Sequence, residues 1–546
     1  MRHPLYLASI ALIGAAACSN AAPELKDPPF LKVTAPERSL IRAGSGAVEV
    51  RGEVHPNENG SPIKTVMVNG VQATVAADGT FTAQIDVPDG ATLIHTEAVA
   101  IDGGKATDTR AVEAGELRSP GAMVEDAMAV VLSDEAFAAL GKAGGTLMKS
   151  TDLAPILAPL NPVVKSGLAS DGSEDGLYAK ISVYDVNMSD AVIDMKPVNE
   201  GIAFTLNLKN VEIPMHARYA VAWVDSDTDI TATAGNVKVA GIMKVTPSGG
   251  AFAVNMENTD VKIDDFHLDA SGLPGDIMEI VNFDRAAEYI VEKGAELFME
   301  PMVKDALSKM AGVQTLDVMG KKLDVEVLPT AIFFDPQAAH IALSSRMKVQ
   351  GTENSKGFIY TSNAALDVNP ANGFVFGLAD DAANQLLAGF TAAGMLNLSQ
   401  PVAGGSFDTA QIMATMPPMI SADPKDGRMK VIAGDMMMTF TNQGMPVAKA
   451  ALNLKIDLKV AGTGSDIKVE LGKPEVFVDI LEDLPNITGF EAADLSRLTA
   501  LVVDHQIKTI AELLGNVPIP SIGGLMVSNL TVSGDNGYVV IKGDMK

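Results

Sequence analysis

One order of predicted elements occurs twice in residues 120–546, and this duplication constrains the fold more than any other feature of the sequence. In the first copy, Phe137 and Leu140 lie at helical spacing and predict an opening helix. Long strands with alternating apolar residues follow. Apolar residues then recur on one stripe from about Asp276 to Met310, which predicts a long amphipathic helix before further strands.

The second copy has the same order. Leu386 and Phe390 lie at a step of four in a helix predicted from about Leu378 to Phe390. From Leu452 to Val460 apolar and polar residues alternate without a fault, which is the period of a strand with one buried face. A second long helix is predicted from about Ala492 to Leu514. The expected fold class is α+β: two tandem sheet-plus-long-helix units that follow an N-terminal all-β domain.

The N-terminus predicts export. After Arg2, the stretch from Leu5 to Ala17 is an apolar run of 13 residues, shorter than the about 20 residues that span a bilayer as a helix. Residues 1–17 therefore have the pattern of a signal peptide. Cys18, the only cysteine, follows at once. The stretch resembles a bacterial lipobox, whose cysteine becomes an acylated N-terminus; the alternative is an ordinary secretory signal with an incidental cysteine.

The lipobox resemblance implies a lipoprotein of the cell envelope. Ala15 departs from the leucine that such motifs favour three places before the cysteine. Ser19 is not the acidic residue that often retains these proteins in the inner membrane, so the expected address is the outer membrane, facing the periplasm or the surface. Residues 18–29 contain prolines and no periodicity and predict a tether. With one cysteine, no internal disulfide can form, so the fold must rest on burial.

Residues 30–115 have an all-β pattern with short strands and turn residues. Asn69-Gly70 between alternating apolar residues predicts a hairpin. Further turns are predicted at Asp78-Gly79 and Asp102-Gly103, where lone aspartates are typical turn formers rather than calcium ligands. This frame resembles bacterial immunoglobulin-like domains of the glucodextranase type, which implies a β-sandwich that serves as a spacer or binding appendage.

The duplicated part resembles the bactericidal/permeability-increasing protein family, within the tubular lipid-binding superfamily. The similarity is carried by 127–140 (AMAVVLSDEAFAAL), by 375–398 and by 517–544, together with the order of elements. It implies a boomerang of two highly twisted barrels, a first lobe at 120–350 and a second at 374–546, joined by a central linker or sheet at 351–373. In this family each lobe can hold acyl chains in an apolar groove between helix and sheet.

Two departures limit what the resemblance implies. Mammalian members keep a disulfide in the first lobe, which a chain with one cysteine cannot form. The lipopolysaccharide-binding members use a basic tip on that lobe, whereas a loop predicted at Asp225–Asp229 is acidic. Recognition of lipopolysaccharide is therefore not carried over, and a phospholipid or other acyl-chain ligand is expected.

The charge of the chain excludes some partners. There are 41 basic against 68 acidic residues, a net charge of −27. Such a surface repels polyphosphates, so no nucleic-acid partner is expected. It also lacks the Lys/Arg excess that docks proteins on anionic headgroups.

Catalytic and metal motifs are missing from the sequence. It contains no H-E-x-x-H pair, no G-x-S-x-G elbow, no G-x-G-x-x-G and no P-loop. We therefore expect no enzyme activity, no cofactor and no metal site. A carbohydrate-associated enzyme with an immunoglobulin-like appendage remains a weaker alternative, because paired acids in a cleft leave no sequence motif.

The function expected is that of a membrane-anchored lipoprotein that binds and transfers lipids in two apolar grooves. The 27 methionines suit exchangeable apolar contents, because methionine is unbranched and polarizable. The alternative is an adhesive or scaffolding envelope protein whose lobes have solid cores and no ligand. Cys18 is the expected lipidation site, and the expected lipid-binding residues are Phe137, Leu140, Phe298, Met302, Leu386, Phe390, Leu498 and Val502.

Overall fold

A computed structural model describes residues 27–168, 174–361, 373–401, 407–422, 429–463, 466–483, 492–514, 527–535 and 537–545. The described chain is mostly β-strand with interspersed helices, an α+β composition. The predicted signal peptide, Cys18 and most of the predicted tether lie outside the described residues.

The first nine strands form two sheets around one hydrophobic core. One sheet has the order β1-β3-β7-β6 and the other β2-β9-β8-β4-β5, with β2 and β9 parallel. Val50, Val68 and Phe81 are fully buried between the sheets. We call this unit the N-terminal sandwich. Its strands are β1 (Phe30–Ala35), β2 (Leu40–Arg42), β3 (Gly46–His55), β4 (Ile63–Val68), β5 (Val71–Gln72), β6 (Thr74–Val75), β7 (Thr80–Val87), β8 (Gly90–Ala100) and β9 (Lys105–Ala114).

The predicted turns of the sandwich are confirmed. Asn69 and Gly70 have φ of 47° and 84°, the two left-handed positions that a type I′ hairpin requires. The Asp78 carboxylate accepts from Thr80 N at 3.0 Å, and Asp102 accepts from Gly104 N at 2.9 Å. These aspartates therefore shape turns through their side chains.

A seven-stranded antiparallel sheet combines segments from the start, middle and end of residues 120–546, in the order β19-β20-β21-β11-β23-β32-β31. We call it the central sheet. Its strands are β11 (Val124–Ser133), β19 (Gly312–Val318), β20 (Lys321–Phe334), β21 (Ala338–Val349), β23 (Phe374–Ala379), β31 (Val527–Asp535) and β32 (Tyr538–Met545).

The segment predicted as a central linker or sheet, 351–373, contributes differently. Its described part contains the short strand β22 (Phe358–Tyr360), which pairs with β10 (Glu116–Arg118) rather than with the central sheet. The Arg118 guanidinium lies 3.4 Å from the centre of the Tyr360 ring, a cation–π contact. Residues 362–372 lie outside the described residues.

The first curled sheet follows the central strand β11. Its main path is β12-β13-β15-β16-β17, with β14 paired to β15 and β18 to β16. The helices beside it are α1 (Asp134–Ser150), α2 (Ala154–Leu157), α3 (Gly275–Ile280) and α4 (Phe283–Ser308). The strands are β12 (Val164–Leu168), β13 (Glu174–Val183), β14 (Asp190–Val198), β15 (Gly201–Val221), β16 (Val224–Ser248), β17 (Ala251–Asp264) and β18 (His267–Asp269).

Two predictions in this region are wrong in detail. The helix predicted from about Asp276 to Met310 is divided into α3 and α4, because Asn282 caps a new helix by accepting from Arg285 N at 3.0 Å. The acidic stretch Asp225–Asp229, predicted as a loop, lies at the start of β16 and pairs with β15. The turn comes just before it, at Ala222 and Trp223.

The second curled sheet has the path β24-β25-β27-β28-β29, with β26 paired to β27 and β30 to β28. Its helices are α5 (Asp380–Ala392) and α6 (Ala492–Leu514). The predicted order of helix, strands, long helix and strands thus occurs a second time. The strands are β24 (Leu398–Pro401), β25 (Thr409–Met413), β26 (Met419–Ala422), β27 (Met429–Asn442), β28 (Met445–Thr463), β29 (Asp466–Leu471) and β30 (Glu475–Asp483).

The N-terminal sandwich packs against the second curled sheet. Ala91 of the sandwich shares a small apolar cluster with Met419 and Ile432, and its N–H donates to Ser421 Oγ at 2.8 Å. Polar contacts at this interface are buried, and they include an aspartate, Asp435, with no exposed surface. Such contacts fix the orientation of the sandwich on the sheet.

Candidate functional site

Apolar crevices lie between α4 and the first curled sheet. The largest of those described has a cavity volume of about 40 Å³ and opens to solvent. Helix α4 forms one wall through Ile290, Gly294 and Phe298. The other lining residues are Met148, Leu153, Ile156, Leu157, Val186, Met188, Leu206, Leu208, Val291 and Ala295.

Two further crevices lie along the same helix, each with a cavity volume of about 10 Å³. Both are lined by Ala287 of α4, by Ile213 of β15 and by Phe266. One is also lined by Val163, Val164, Ile181, Met215, Ala232, Leu268, Phe283, Ala286 and Ile290. The other is completed by Val211, Ala232, Thr233, Ala234, Val237, Ile263 and Val291.

The three crevices share lining side chains. Ile290 lines the first and the second, and Val291 lines the first and the third. Between Phe283 and Phe298 the helix rises about 22 Å, at about 1.5 Å per residue. One acyl chain occupies about 15 Å, half of the roughly 30 Å hydrocarbon core of a bilayer. The row of crevices, which we call the α4 groove, therefore has the length of one acyl chain, and side chains must move to admit it because the cavities are small.

The chemistry of the α4 groove is that of hydrocarbon. Among its lining residues Thr233 alone carries a polar side-chain group, and none is charged. Met148, Met188 and Met215 contribute flexible side chains that can change rotamer around a guest. The groove offers no side-chain partner to a headgroup, so a ligand here would be held by its apolar part.

Charged groups flank the groove on α4. The Lys293 ammonium donates to the Glu296 carboxylate one turn along, and this bond raises the pKa of Lys293. Glu300 accepts from Met256 N at 2.6 Å, which ties the helix to β17. Burial raises the pKa of Glu300 above its usual value, more than that hydrogen bond lowers it. Glu300 thus fixes α4 at the edge of the sheet, whereas the Lys293–Glu296 pair lies within the helix, and none of the three lines the groove.

The structure separates the predicted lipid-binding residues of the first unit. Phe298 lines the α4 groove. Met302 lies one turn further on and its sulfur packs against Gly144 of α1, so it joins two helices. Phe137 and Leu140 are buried in the core, and the Phe137 ring lies 6.4 Å from that of Phe334. Met302, Phe137 and Leu140 do not line the described crevices.

In the second unit, Leu386 and Phe390 have no exposed surface and belong to the hydrophobic core. A crevice beside α5, with a cavity volume of about 10 Å³, is lined by the other side of the helix, through Gln385 and Gly389. Leu498 and Val502 belong to α6, but their side chains lie outside the described part of the chain. Cys18 also lies outside the described residues.

Four methionines of the second unit are buried. Met436 and Met438 belong to the main core, and Met419 lies in the apolar cluster against the sandwich. Met416 is 3 % exposed and its sulfur lies close to Gly434. These four fill core and interface, whereas Met437 is half-buried and Met445 is exposed.

Sequence reasoning missed most of the groove. The apolar stripe predicted from about Asp276 to Met310 includes Ala287, Val291 and Ala295, which do line the groove, but it does not include Gly294. A glycine inside an otherwise apolar helix face leaves space that no side chain of the helix fills. This signal could have indicated a groove at this point.

Within the described residues, no group of three or more His, Cys, Asp or Glu side chains could hold a metal ion. The helices of the described segments do not include one that is long and apolar enough to cross a membrane.

Comparisons with known proteins reveal a distant likeness. No protein-family model matches the sequence, and no curated protein matches it. The structure is similar to the crystal structure of a lipopolysaccharide binding protein, at 12% identity and a TM-score of 0.40 over 78% of this chain and 99% of that one. A putative phosphatase from Bacteroides thetaiotaomicron aligns at 11% identity and a TM-score of 0.12, over 95% of this chain and 98% of that one.

Proposed function

We propose that the protein binds lipids by inserting an acyl chain into the α4 groove. The observation that carries this proposal is the row of three apolar crevices between α4 and the first curled sheet, which share Ile290 and Val291 as lining residues. A row of small apolar gaps along one helix suits a linear hydrocarbon better than a compact ligand. The absence of charged lining residues favours a ligand whose headgroup stays in solvent.

The driving force is burial of methylene groups. Each buried methylene contributes about 0.8 kcal/mol, so a chain of about 16 carbons gains on the order of 12 kcal/mol before entropy costs. The flexible side chains of Met148 and Met188 would move aside to admit the chain. Because this energy does not depend on a headgroup, the site would accept several phospholipids or other acyl-chain ligands.

The proposal extends to the organisation of the chain. Residues 120–350 and 374–546 would act as two tandem lipid-binding lobes, and the immunoglobulin-like sandwich at 30–115 would be a fixed part of the second. The repeated element order supports this assignment. Lipid transfer would result if the first lobe took up a lipid and then released it to an acceptor.

We also propose that the protein is an outer-membrane lipoprotein anchored through Cys18. The apolar run before Cys18 and the small residues around it support this address. A Cys18→Ser variant should leave the membrane fraction and appear in the periplasm or the medium. If this variant remains in the membrane fraction, the anchor is not at Cys18.

The binding site is tested by filling the groove. In Gly294→Phe a bulky side chain would project from α4 toward Leu157, which lies 3.3 Å from where a Cβ would be. We expect native mass spectrometry of protein purified from bacteria to show bound lipid in the wild type and at least about tenfold less in this variant, since a blocked groove removes a large part of the burial.

The matched control is Glu288→Phe, which adds the same side chain on the exposed side of the same helix. It should retain bound lipid, and both variants should keep the far-UV circular dichroism of the wild type. Wild-type protein without bound lipid, even after incubation with fatty acid, would favour the scaffold with solid cores instead.

A further inference from the structure

The longest hairpin of the first curled sheet ends in the only tryptophan of the chain. Strands β15 and β16, of 21 and 25 residues, are joined by Ala222 and Trp223. Trp223 is 84% exposed, and the next residue, Val224, is 69% exposed. Leu177 on the adjacent strand β13 is 40% exposed. Large apolar side chains thus meet solvent at the tip of a projecting hairpin.

The backbone at this tip is strained. Ala222 and Trp223 have φ of 52° and 65°, left-handed values that a type I′ turn needs and that bulky residues rarely adopt. The corresponding hairpin of the second curled sheet, between β27 and β28, makes its turn with Gln443 and Gly444. At that turn glycine adopts the positive φ with less steric strain than a bulky residue would. The tryptophan is therefore not explained by the turn geometry, and an outlier of this kind points to a function.

A glycine holds the indole in place. Trp223 N donates to Gly176 O at 3.1 Å, and a Cβ on Gly176 would lie 2.6 Å from the indole ring. The ring therefore lies against bare backbone on one side and faces solvent on the other. This arrangement presents the indole outward in a defined orientation.

A stripe of buried apolar side chains runs along β15 from the α4 groove toward the tip. Along β15 the side chains of Ile213, Met215, Ala217 and Tyr219 are buried in alternation, and Val221 is partly buried against the same core. Ile213 and Met215 line the groove. From Met215 to Val221 the strand advances about 20 Å, at about 3.3 Å per residue.

The charges around the tip are mainly negative. Among the described residues near the tip, Asp225, Asp227, Asp229 and Glu174 face the cations Arg218 and Lys180, which both pair with Glu174. His216 Nδ1 lies 2.9 Å from Asp229 Oδ1. A tip of this charge is repelled by an anionic lipid surface and is compatible with a zwitterionic one.

We propose that the tip formed by Leu177, Trp223 and Val224 docks on the surface of a zwitterionic lipid bilayer. Tryptophan suits this interface because its ring is apolar and its N–H is polar. A convex hairpin end cannot enclose a small ligand, whereas it can enter a headgroup layer. This proposal rests on the proposed function, since docking would bring the end of the α4 groove toward its lipid source.

Because Trp223 is the only tryptophan of the chain, its fluorescence reports on the environment of the tip. In protein carrying Cys18→Ser, so that no acyl anchor contributes, neutral phosphatidylcholine vesicles should shift the tryptophan emission to shorter wavelength, and brominated phosphatidylcholine should quench it. Vesicles rich in phosphatidylglycerol should give a weaker shift at low salt. Unchanged emission at saturating phosphatidylcholine would overturn the proposal.

Variants separate docking from lipid loading. In the same background, Trp223→Gly should lower co-sedimentation with phosphatidylcholine vesicles about tenfold, and Val224→Ser should lower it less while keeping the fluorophore. Met445→Ser, at the exposed tip of the second hairpin, is the matched control and should bind normally. Equal co-sedimentation of Trp223→Gly and wild type contradicts docking.

Bound lipid is measured in these variants by native mass spectrometry. Trp223→Gly should keep the lipid content of the wild type, because the α4 groove is intact. Loss of vesicle binding with normal lipid content supports the tip as a docking element. An empty groove in every variant would refute the proposed lipid-binding function, while the fluorescence shift would still decide whether the tip docks.

Discussion

Arg38 donates from Nη1 to Asp435 Oδ1 at 2.9 Å, and this bond joins the N-terminal sandwich to the second curled sheet across 397 positions of sequence. The same guanidinium contacts Asp108 at 2.8 Å and Asp479 at 3.2 Å. Asp435 also accepts from the backbone N–H groups of Ser39 and Ala111. Arg38 thus neutralises part of a cluster of three carboxylates, of which Asp435 and Asp479 are buried and Asp108 also pairs with Arg110 Nε at 2.8 Å.

Removal of this arginine should destabilise the protein strongly. Arg38→Met leaves buried carboxylates without their cation, and breaking a buried pair on one side costs about 3–5 kcal/mol. The measurement is the free energy of unfolding from denaturant titration. The control is Arg51→Met, whose exposed pair with Glu49 should contribute about 0–1 kcal/mol. Equal effects of the two substitutions would show that the cluster does not hold the interface.

Stability should fall as pH rises from about 4.5 to about 8. Burial raises the pKa of Glu113 from 4.5 to about 8, and its Oε2 has no hydrogen-bond partner. Burial and the Asp108 charge raise the pKa of Asp479 to about 7, because Arg38 is shared among three carboxylates and cannot offset them. Folded protein therefore binds protons more tightly than unfolded protein.

The sign of this pH effect follows from the raised pKa values. The contribution of Glu113 is intact below about pH 4.5 and is lost as pH rises through about 8. Denaturant midpoints should therefore decrease between pH 5.5 and 8.5 in the wild type, and Glu113→Gln should show a smaller decrease. Glu116→Gln, at a well-exposed carboxylate, should follow the wild type. A wild-type denaturant midpoint that rises over this pH range would contradict a protonated Glu113 in the folded protein.

Packing of the N-terminal sandwich against the second curled sheet should require a glycine at position 434. A Cβ on Gly434 would lie 2.1 Å from the Cβ of Ala111, so Gly434→Ala forces the two units apart and should cost about 1–3 kcal/mol. The double variant with Ala111→Gly should recover most of this loss, as a double-mutant cycle would show. Gly275→Ala, where a Cβ meets open space, is the control. Independent, additive effects at 434 and 111 would rule out the contact.

Two glycines of α1 should respond differently to alanine. A Cβ on Gly141 would lie 2.5 Å from the backbone oxygen of Ile193, which cannot move without shifting β14. A Cβ on Gly144 would meet the sulfur of Met302, the end of a flexible side chain. Gly141→Ala should therefore lose about 1–3 kcal/mol. Gly144→Ala should change stability by less than about 1 kcal/mol, because alanine also favours the helix. Thermal unfolding of both variants checks this order.

Local features of the fold were predictable from the sequence. The Asn69-Gly70 hairpin depends on two left-handed residues that neighbours in sequence supply, and it forms as predicted. The helix predicted from Ala492 to Leu514 has the same bounds in the structure. The alternating stretch from Leu452 to Val460 lies within β28. Periodicity and turn chemistry determine these elements because both act over a few residues.

The tertiary structure alone decided where the units meet and where space remains. No pattern near Arg38 indicates that Asp435 will lie beside it, because this pairing depends on how two distant sheets pack. Phe298 and Phe137 both belong to the main hydrophobic core, but Phe298 also lines one of the described crevices. Periodicity specifies which face of an element is buried. Whether that face is filled depends on the volumes of side chains brought from distant strands, and at Gly294 those volumes leave a gap.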